Sequence, residues 1–295
     1  MKGVYFTINS SIQHNNKNTT MATVSMPEDS FQFSMGVTPK AKIALEEMLK
    51  FLVRAVDPAS LSASIDKIFL EFSLRLKTLN STERSYFNAN IRDMFVRHFS
   101  WAIPHSATLA ALATHLKGYS RILEVGAGTG LWAHLLKEIH GVSVVATDKS
   151  DGNYRQGPAQ YQQHKYCSVE VIDAVPAIEK YDPEVLMLIW APYSDPYSPF
   201  PEPPMATDSL RAFKGNLLVW IGEEEGGCNA DVSFFEELHA NWKIVCDIGI
   251  PSWFHIYDGC SIWKRNESVS NEAAKGEDVG AAEEKAADGV AEETA

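Results

Sequence analysis

The sequence predicts an α/β fold: a seven-stranded, mostly parallel sheet with an antiparallel last strand, preceded by an N-terminal helical segment. Three observations carry this. Residues 39–117 show apolar positions at helical spacing and no strand-like alternation. From Tyr119 onward, short runs rich in β-branched residues alternate with amphipathic stretches, the pattern of strands joined by crossover helices. The last two such runs follow one another with no helix between them, so they close the sheet as a hairpin.

In order along the chain, the first thirty residues are rich in Ser, Thr and Asn. They hold no apolar run long enough for a signal peptide and no arginine for a mitochondrial leader, so residues 1–38 read as a disordered leader. Pro39 opens the first helix, whose stripe of Leu45, Met48, Leu49, Leu52 and Val56 ends at Asp57-Pro58. A second helix runs through SIDKIFLEFSLRLKTL. Asn80 with Glu83 three positions on predicts a capping box for the third, TERSYFNANIRDMFVRHF. The fourth, SATLAALATHLK, stops at Gly118.

Residues 118–265 form the α/β unit. Strand RILEV leads into helix TGLWAHLLKEIH, and strand VSVVATD into a polar loop. Strand VEVI precedes a short helix at AVPAIEK; VLMLIW precedes a proline-rich loop and helix TDSLRAF; NLLVWIG precedes helix ADVSFFEELHANW. KIVCDIGI and HIYDGCSIWKR make the closing pair. Residues 266–295 carry a net −7 of the chain's −12, with no aromatic residue, so they read as a disordered acidic tail. Cys167, Cys228, Cys246 and Cys260 stand singly, as reduced thiols of a cytoplasmic chain do, with a nuclear location left open and no metal site expected. No stretch approaches the twenty or so apolar residues of a membrane span.

The chemistry concentrates in EVGAGTG. Glycines 126, 128 and 130 follow the first strand, and Asp148 ends the second. A dinucleotide fingerprint would place a small residue where Leu131 stands. Glu124, two residues before the cradle, repels a pyrophosphate and suits an ammonium group, while Asp148 is placed to accept from two ribose hydroxyls. A ligand with a ribose, a cation and no phosphate is S-adenosyl-L-methionine. With the second strand ending in Asp148 and the reversed closing hairpin, the stretch resembles the class I S-adenosylmethionine-dependent methyltransferases over residues 100–265. SWAIP, EVGAGTGLWA, LIWAPY and WIGEEEGG also resemble a little-characterised methyltransferase-like group.

The resemblance implies a Rossmann-like sheet and a set of cofactor contacts. Glu124, Gly126, Gly128 and Gly130 would lie along the methionine part, Asp148 on the ribose, and Asp173 near the adenine. Asp173 is equally suited to cap the helix that follows it. Trp190 is counted with the cofactor contacts and shares in the acceptor wall, whereas Trp132 packs the first α/β helix on the sheet.

Methyl transfer requires the acceptor to be positioned and, where needed, deprotonated. Glu223, after the fifth strand, is the first candidate for acid/base or amine-binding work, and His105, equally suited to cap the helix that follows it, is the second, with Tyr193 the third catalytic candidate. Trp101, Trp190 and Tyr193 are expected to converge with Glu223 on one pocket, walled for a small, partly apolar acceptor. The WAPY stretch invites comparison with the D/N-P-P-Y motif of nucleic-acid amino-methyltransferases. An indole only donates, however, so Trp190 cannot accept from an exocyclic amine. The net −5 of residues 1–265 also disfavours nucleic acid. The proline-rich loop 192–207 reads equally as a stiff lid and as a rigid surface connection. His255 and Asp258, at the hairpin, read as structural. The alternative to an enzyme is a non-catalytic cofactor-binding scaffold or subunit.

Overall fold

The computed structural model describes residues 5–8, 22–25, 38–55, 60–151, 153–156, 159–162, 164–194 and 203–266. Within the leader, strands β1 (Tyr5–Ile8) and β2 (Ala22–Ser25) pair antiparallel; their aromatic and β-branched residues suit a ladder better than a coil. The remainder of the leader, apart from Thr38, and residues 267–295 of the tail lie outside the described residues.

Four helices follow: α1 (Pro39–Ala55), α2 (Leu61–Lys77), α3 (Ser81–His98) and α4 (Ser106–Leu116). The capping box at α3 is formed: the Asn80 side chain accepts from Glu83 N at 3.0 Å, and the Glu83 carboxylate accepts from Asn80 N at 3.0 Å.

The α/β part then runs β3 (Ile122–Val125), α5 (Leu131–His140) and β4 (Val145–Asp148). A small hairpin follows, β5 (Asn153–Gln156) with β6 (Ala159–Gln162), where the sequence reads only as polar loop. Next come β7 (Val169–Val171), α6 (Ala174–Tyr181), β8 (Val185–Ile189), α7 (Met205–Ala212), β9 (Leu217–Gly222) and α8 (Val232–Asn241). The closing pair is β10 (Trp242–Ile248) and β11 (Gly259–Arg265). The main sheet has seven strands in the order β10-β11-β9-β8-β3-β4-β7. β11 is antiparallel to both β9 and β10, and the pairings from β9 through β7 are parallel.

β8 and β9 are buried along their whole length because helices cover both faces. Alternation then divides each strand. Val185, Met187, Leu217 and Val219 pack with α5 and the N-terminal helices on one face. Leu186, Leu188, Leu218 and Trp220 pack toward α6 and α8 on the other. The N-terminal helices therefore share one apolar core with the sheet.

Trp253, in the β10–β11 connection, is the central contact. Its ring meets Phe69, Phe72 and Phe95 edge-on at 5.1–5.9 Å. Beside it the Asn88 amide clamps Phe254, accepting from its N–H at 3.1 Å and donating to its carbonyl at 3.3 Å. Thr108 Oγ1 donates to Gly249 O at 2.8 Å.

From β3 the chain builds outward to β4 and β7, then returns to build β8 and β9 on the other side. The crevice at the carboxyl ends of β3 and β8 is the switch point, where open α/β sheets bind ligands.

Candidate functional site

Gly126, Gly128 and Gly130 take φ values of 69°, 54° and 71°, so the loop turns through the left-handed region. A Cβ at Gly128 would meet nothing within 4 Å, so that position opens onto free space. At Gly130 it would lie 2.6 Å from Cys167 Sγ, so that glycine serves close packing. The loop is tied on three sides. Ala127 N donates to Thr147 O at 2.9 Å, Gly128 N to Asp148 Oδ2 at 2.8 Å, and Thr129 Oγ1 to Phe99 O at 2.5 Å.

Two carboxylates flank it. Glu124 is 2% exposed, its Oε2 has no hydrogen-bond partner among the described residues, and Ala133 N–H of α5 donates to its carboxyl. Burial pushes its pKa up to about 8; the Ala133 bond opposes that shift and neighbouring Asp148 adds to it. Asp148 accepts from Gly128 N and, through Oδ1, from Ser150 N at 2.8 Å, so it organises the loop with lone pairs to spare. Lys165 reaches across the same loop, donating to Gly128 O. Asp173 is exposed and caps α6, accepting from Ala174 N at 2.7 Å.

On the β8–β9 side, Trp190 follows β8 with φ 55°, a conformation rare outside glycine, and its N–H donates to Ile221 O at 2.7 Å. Its ring stacks on Trp101, centroids 4.8 Å apart and 14° from parallel. The Arg92 guanidinium of α3 lies 5.2 Å from the Trp101 centroid and 5.1 Å from that of Trp190. Three centres so nearly equidistant put the guanidinium on the flank of the stack, and Trp101 keeps 44% of its surface exposed. Trp190 Nε1 donates to Asp258 Oδ1 at 2.8 Å.

Glu223, 8% exposed, holds its surroundings together. Its Oε2 accepts from Cys228 N at 2.9 Å and Cys228 Sγ at 2.8 Å, and its Oε1 from Tyr257 N at 2.9 Å. Burial alone would raise its pKa, yet these donors and Arg92 hold it below the ordinary carboxylate range. Asn229 joins the two strand ends: its Oδ1 accepts from Glu223 N at 2.8 Å, and its Nδ2 donates to Ala191 O at 3.3 Å.

The structure thus brings Trp101 and Trp190 together, with Glu223 tied to Tyr257, the neighbour of Asp258. Tyr193, 49% exposed, lies three positions past Trp190. Two of the acid/base candidates are already engaged within the fold. Glu223 is an ionised anchor with both oxygens engaged, not a carboxylate awaiting a proton. His105 caps α4, its Nδ1 accepting from Ala107 N at 3.3 Å, while its Nε2 lies 3.6 Å from Asp66 Oδ1 of α2. Asp258, expected to be structural, adjoins the tryptophan stack through its bond to Trp190.

Arg92, Asn229 and Asp258 escape sequence reasoning because each meets the site only through tertiary contact. Met205 is a fourth: its Cε would lie 3.3 Å from a Cβ at Gly126, which brings the start of α7 over the glycine loop. The residues between Ser194 and Pro203, most of the proline-rich loop, lie outside the described residues. Among the described residues, no three His, Cys, Asp or Glu side chains are grouped to hold a metal, and no helix is long and apolar enough to cross a membrane.

Neither a protein-family model nor a curated protein matches the sequence. Solved structures match the fold at low identity. Magnesium protoporphyrin IX methyltransferase from Synechocystis PCC 6803, with bound SAM, is 11% identical, with 78% of this chain and 99% of that one covered and a TM-score of 0.35. A SAM-dependent methyltransferase from Archaeoglobus fulgidus is 16% identical over 54% and 92%, with a TM-score of 0.35. An rRNA methylase from Streptococcus thermophilus is 14% identical over 54% and 95%, with a TM-score of 0.33.

Proposed function

We propose that this chain binds S-adenosylmethionine on the loop after β3 and transfers its methyl group to a small, partly apolar acceptor at the ends of β8 and β9. The observation that carries this reading is Glu124 Oε2, a buried carboxylate oxygen without a partner, beside a glycine loop clamped by Asp148. A ligand ammonium gives that oxygen a charged donor and favours its ionised form, whereas a phosphate in the same place meets the Asp148 carboxylate with no cation to offset it. Asp148 offers its remaining lone pairs to ribose hydroxyls, and Gly128 leaves room for close backbone approach. When bound, the cofactor supplies a methyl carbon already activated on sulfonium, so the chain's residues need only orient the acceptor, exclude water and take a proton. Trp101, Trp190 and Tyr193 supply the apolar walls, and Asp173 stands near the adenine end.

Calorimetric titration with S-adenosylhomocysteine tests the reading. The wild type is expected to bind, and Asp148→Ala to weaken binding by about 1.5–3 kcal/mol, the range for lost hydrogen bonds to a charged group. Preferential binding of NADH by the wild type would overturn it. The second reading, a cofactor-binding subunit without activity, is favoured by the structural engagement of both Glu223 and His105. Turnover of labelled cofactor with a small-molecule and protein extract separates the two.

A further inference from the structure

Among the described residues, Asp258 is the carboxylate beside the tryptophan stack with an unused oxygen. Oδ1 accepts from Trp190 Nε1 at 2.8 Å, whereas Oδ2 is buried with no partner among the described residues, and the whole residue is only 9% exposed. A buried carboxylate oxygen left without a donor is unfavourable, and a bound donor recovers that loss. Next to it stand a flat aromatic wall, half open at Trp101, and a cation, Arg92.

We propose that Asp258 Oδ2 receives a hydrogen bond from the methyl acceptor, and in the reaction its proton, and that the acceptor is a flat aromatic molecule carrying a hydroxyl or amino hydrogen. This rests on the methyl-transfer reading above. A lone pair of the acceptor heteroatom forms the bond to the methyl carbon as the carbon–sulfur bond breaks and its electron pair returns to sulfur. The acceptor's proton passes to Oδ2, so a sulfonium and a carboxylate become a thioether and a carboxylic acid. The acid then releases its proton to water.

Burial supports the role by pushing the Asp258 carboxyl up to about 6; the Trp190 bond and Arg92 pull it down, and Glu223 pushes it further up. That range leaves the carboxylate ionised at neutral pH and still basic enough to act. The other titratable groups facing it are Arg92 on α3, Glu223 after β9 and Cys228 in the following loop. Glu223 is held below the ordinary carboxylate range, and burial and Glu223 push Cys228 up to about 11, so neither changes charge near pH 6.

The test uses the full chain loaded with S-adenosylhomocysteine and two probes, catechol and aniline, with binding followed by ligand-observed NMR. At pH 7.5 at least one probe is expected to bind the wild type. Asp258→Asn, which keeps the oxygen that accepts from Trp190, should bind it about tenfold more weakly, the scale of a lost hydrogen bond to a charged group. Catechol stays neutral from pH 5 to 7.5, so its affinity for the wild type should fall about tenfold at the acid end as the carboxylate is protonated. In Asp258→Asn it should stay flat. Asp258→Ala serves as a second variant, with a melting curve to establish that each is folded. Failure of both probes to bind, equal binding by wild type and folded variants, or a flat wild-type pH profile overturns the proposal while leaving cofactor binding intact. Failure of S-adenosylhomocysteine to bind the wild type overturns the methyl-transfer reading itself, and this proposal with it.

Discussion

Glu124 holds its proton up to about pH 8 without ligand, because burial disfavours the charged form. A carboxyl bound more tightly to its proton in the folded state than in the unfolded one makes the fold lose stability as pH rises between the two pKa values. For Glu124 that window runs from the ordinary 4.5 to about 8. Below pH 6.5 other groups interfere: Asp258 acts in the same sense up to about 6, whereas His98, pushed down to about 4, and His134 and His164, also lowered by burial, act in the opposite one. Between pH 6.5 and 8 Glu124 stands apart from them. The melting temperature of the wild type should fall across that interval, and that of Glu124→Gln should not; parallel curves would contradict the assignment. A cationic ligand reverses the preference, so cofactor binding near pH 7 should release protons, measurable as a heat that varies with buffer ionisation enthalpy. Glu124, the three glycines and Asp148 were legible in the sequence because they lie in two short strand ends that any parallel sheet brings side by side. Asp258 was not, since it reaches Trp190 from 68 positions away. Glu223 misled for a related reason: sequence shows a carboxylate at a strand end but not the donors that saturate it.

At the scale of elements, the helices were legible wherever their end signals are local. Asn80→Ala should cost about 1 kcal/mol in denaturant unfolding, the usual value of an N-cap; an unchanged midpoint would show that α3 does not depend on its box. The β5–β6 hairpin was missed because its strands have no apolar alternation. The attachment of the helices was hidden as well. Trp253 falls between the two closing strands as the sequence reads them, yet it is 2% exposed and carries the contact between α2, α3 and the sheet. Trp253 Nε1 also donates to the Trp101 carbonyl at 3.0 Å, tying this contact to the Trp101–Trp190 stack. Trp253→Ala should therefore destabilise by about 3–5 kcal/mol. It should also loosen the Trp101–Trp190 stack, visible as altered near-ultraviolet circular dichroism.

For the whole molecule, alternation of strand and helix made the layered sheet predictable, and the missing helix before the last strand made its reversal predictable. Strand order was less accessible, because pairing partners are chosen by packing and not by adjacency. The composition of the acidic tail offers few apolar side chains to bury. Removing residues 267–295 should leave the melting temperature and cofactor affinity unchanged; a fall of more than a few degrees would show that it docks.

The position of β11 has a consequence for how the protein is made. Although β11 is the last of the described strands, residues 259–265 lie between β9 and β10, and Cys260 and Ile262 are almost wholly buried. During synthesis, β10 emerges with no neighbour to pair with, and β9 presents the bare edge of LLVWIG until β11 arrives to cover it. A nascent or prematurely ended chain stopping near Tyr257 would therefore lack Asp258 as well as the strand that seals the sheet. Such fragments should aggregate, while the chain ending at Asn266 stays dispersed. Completion of the Trp190–Asp258 contact and burial of the sticky edge thus occur in the same late step.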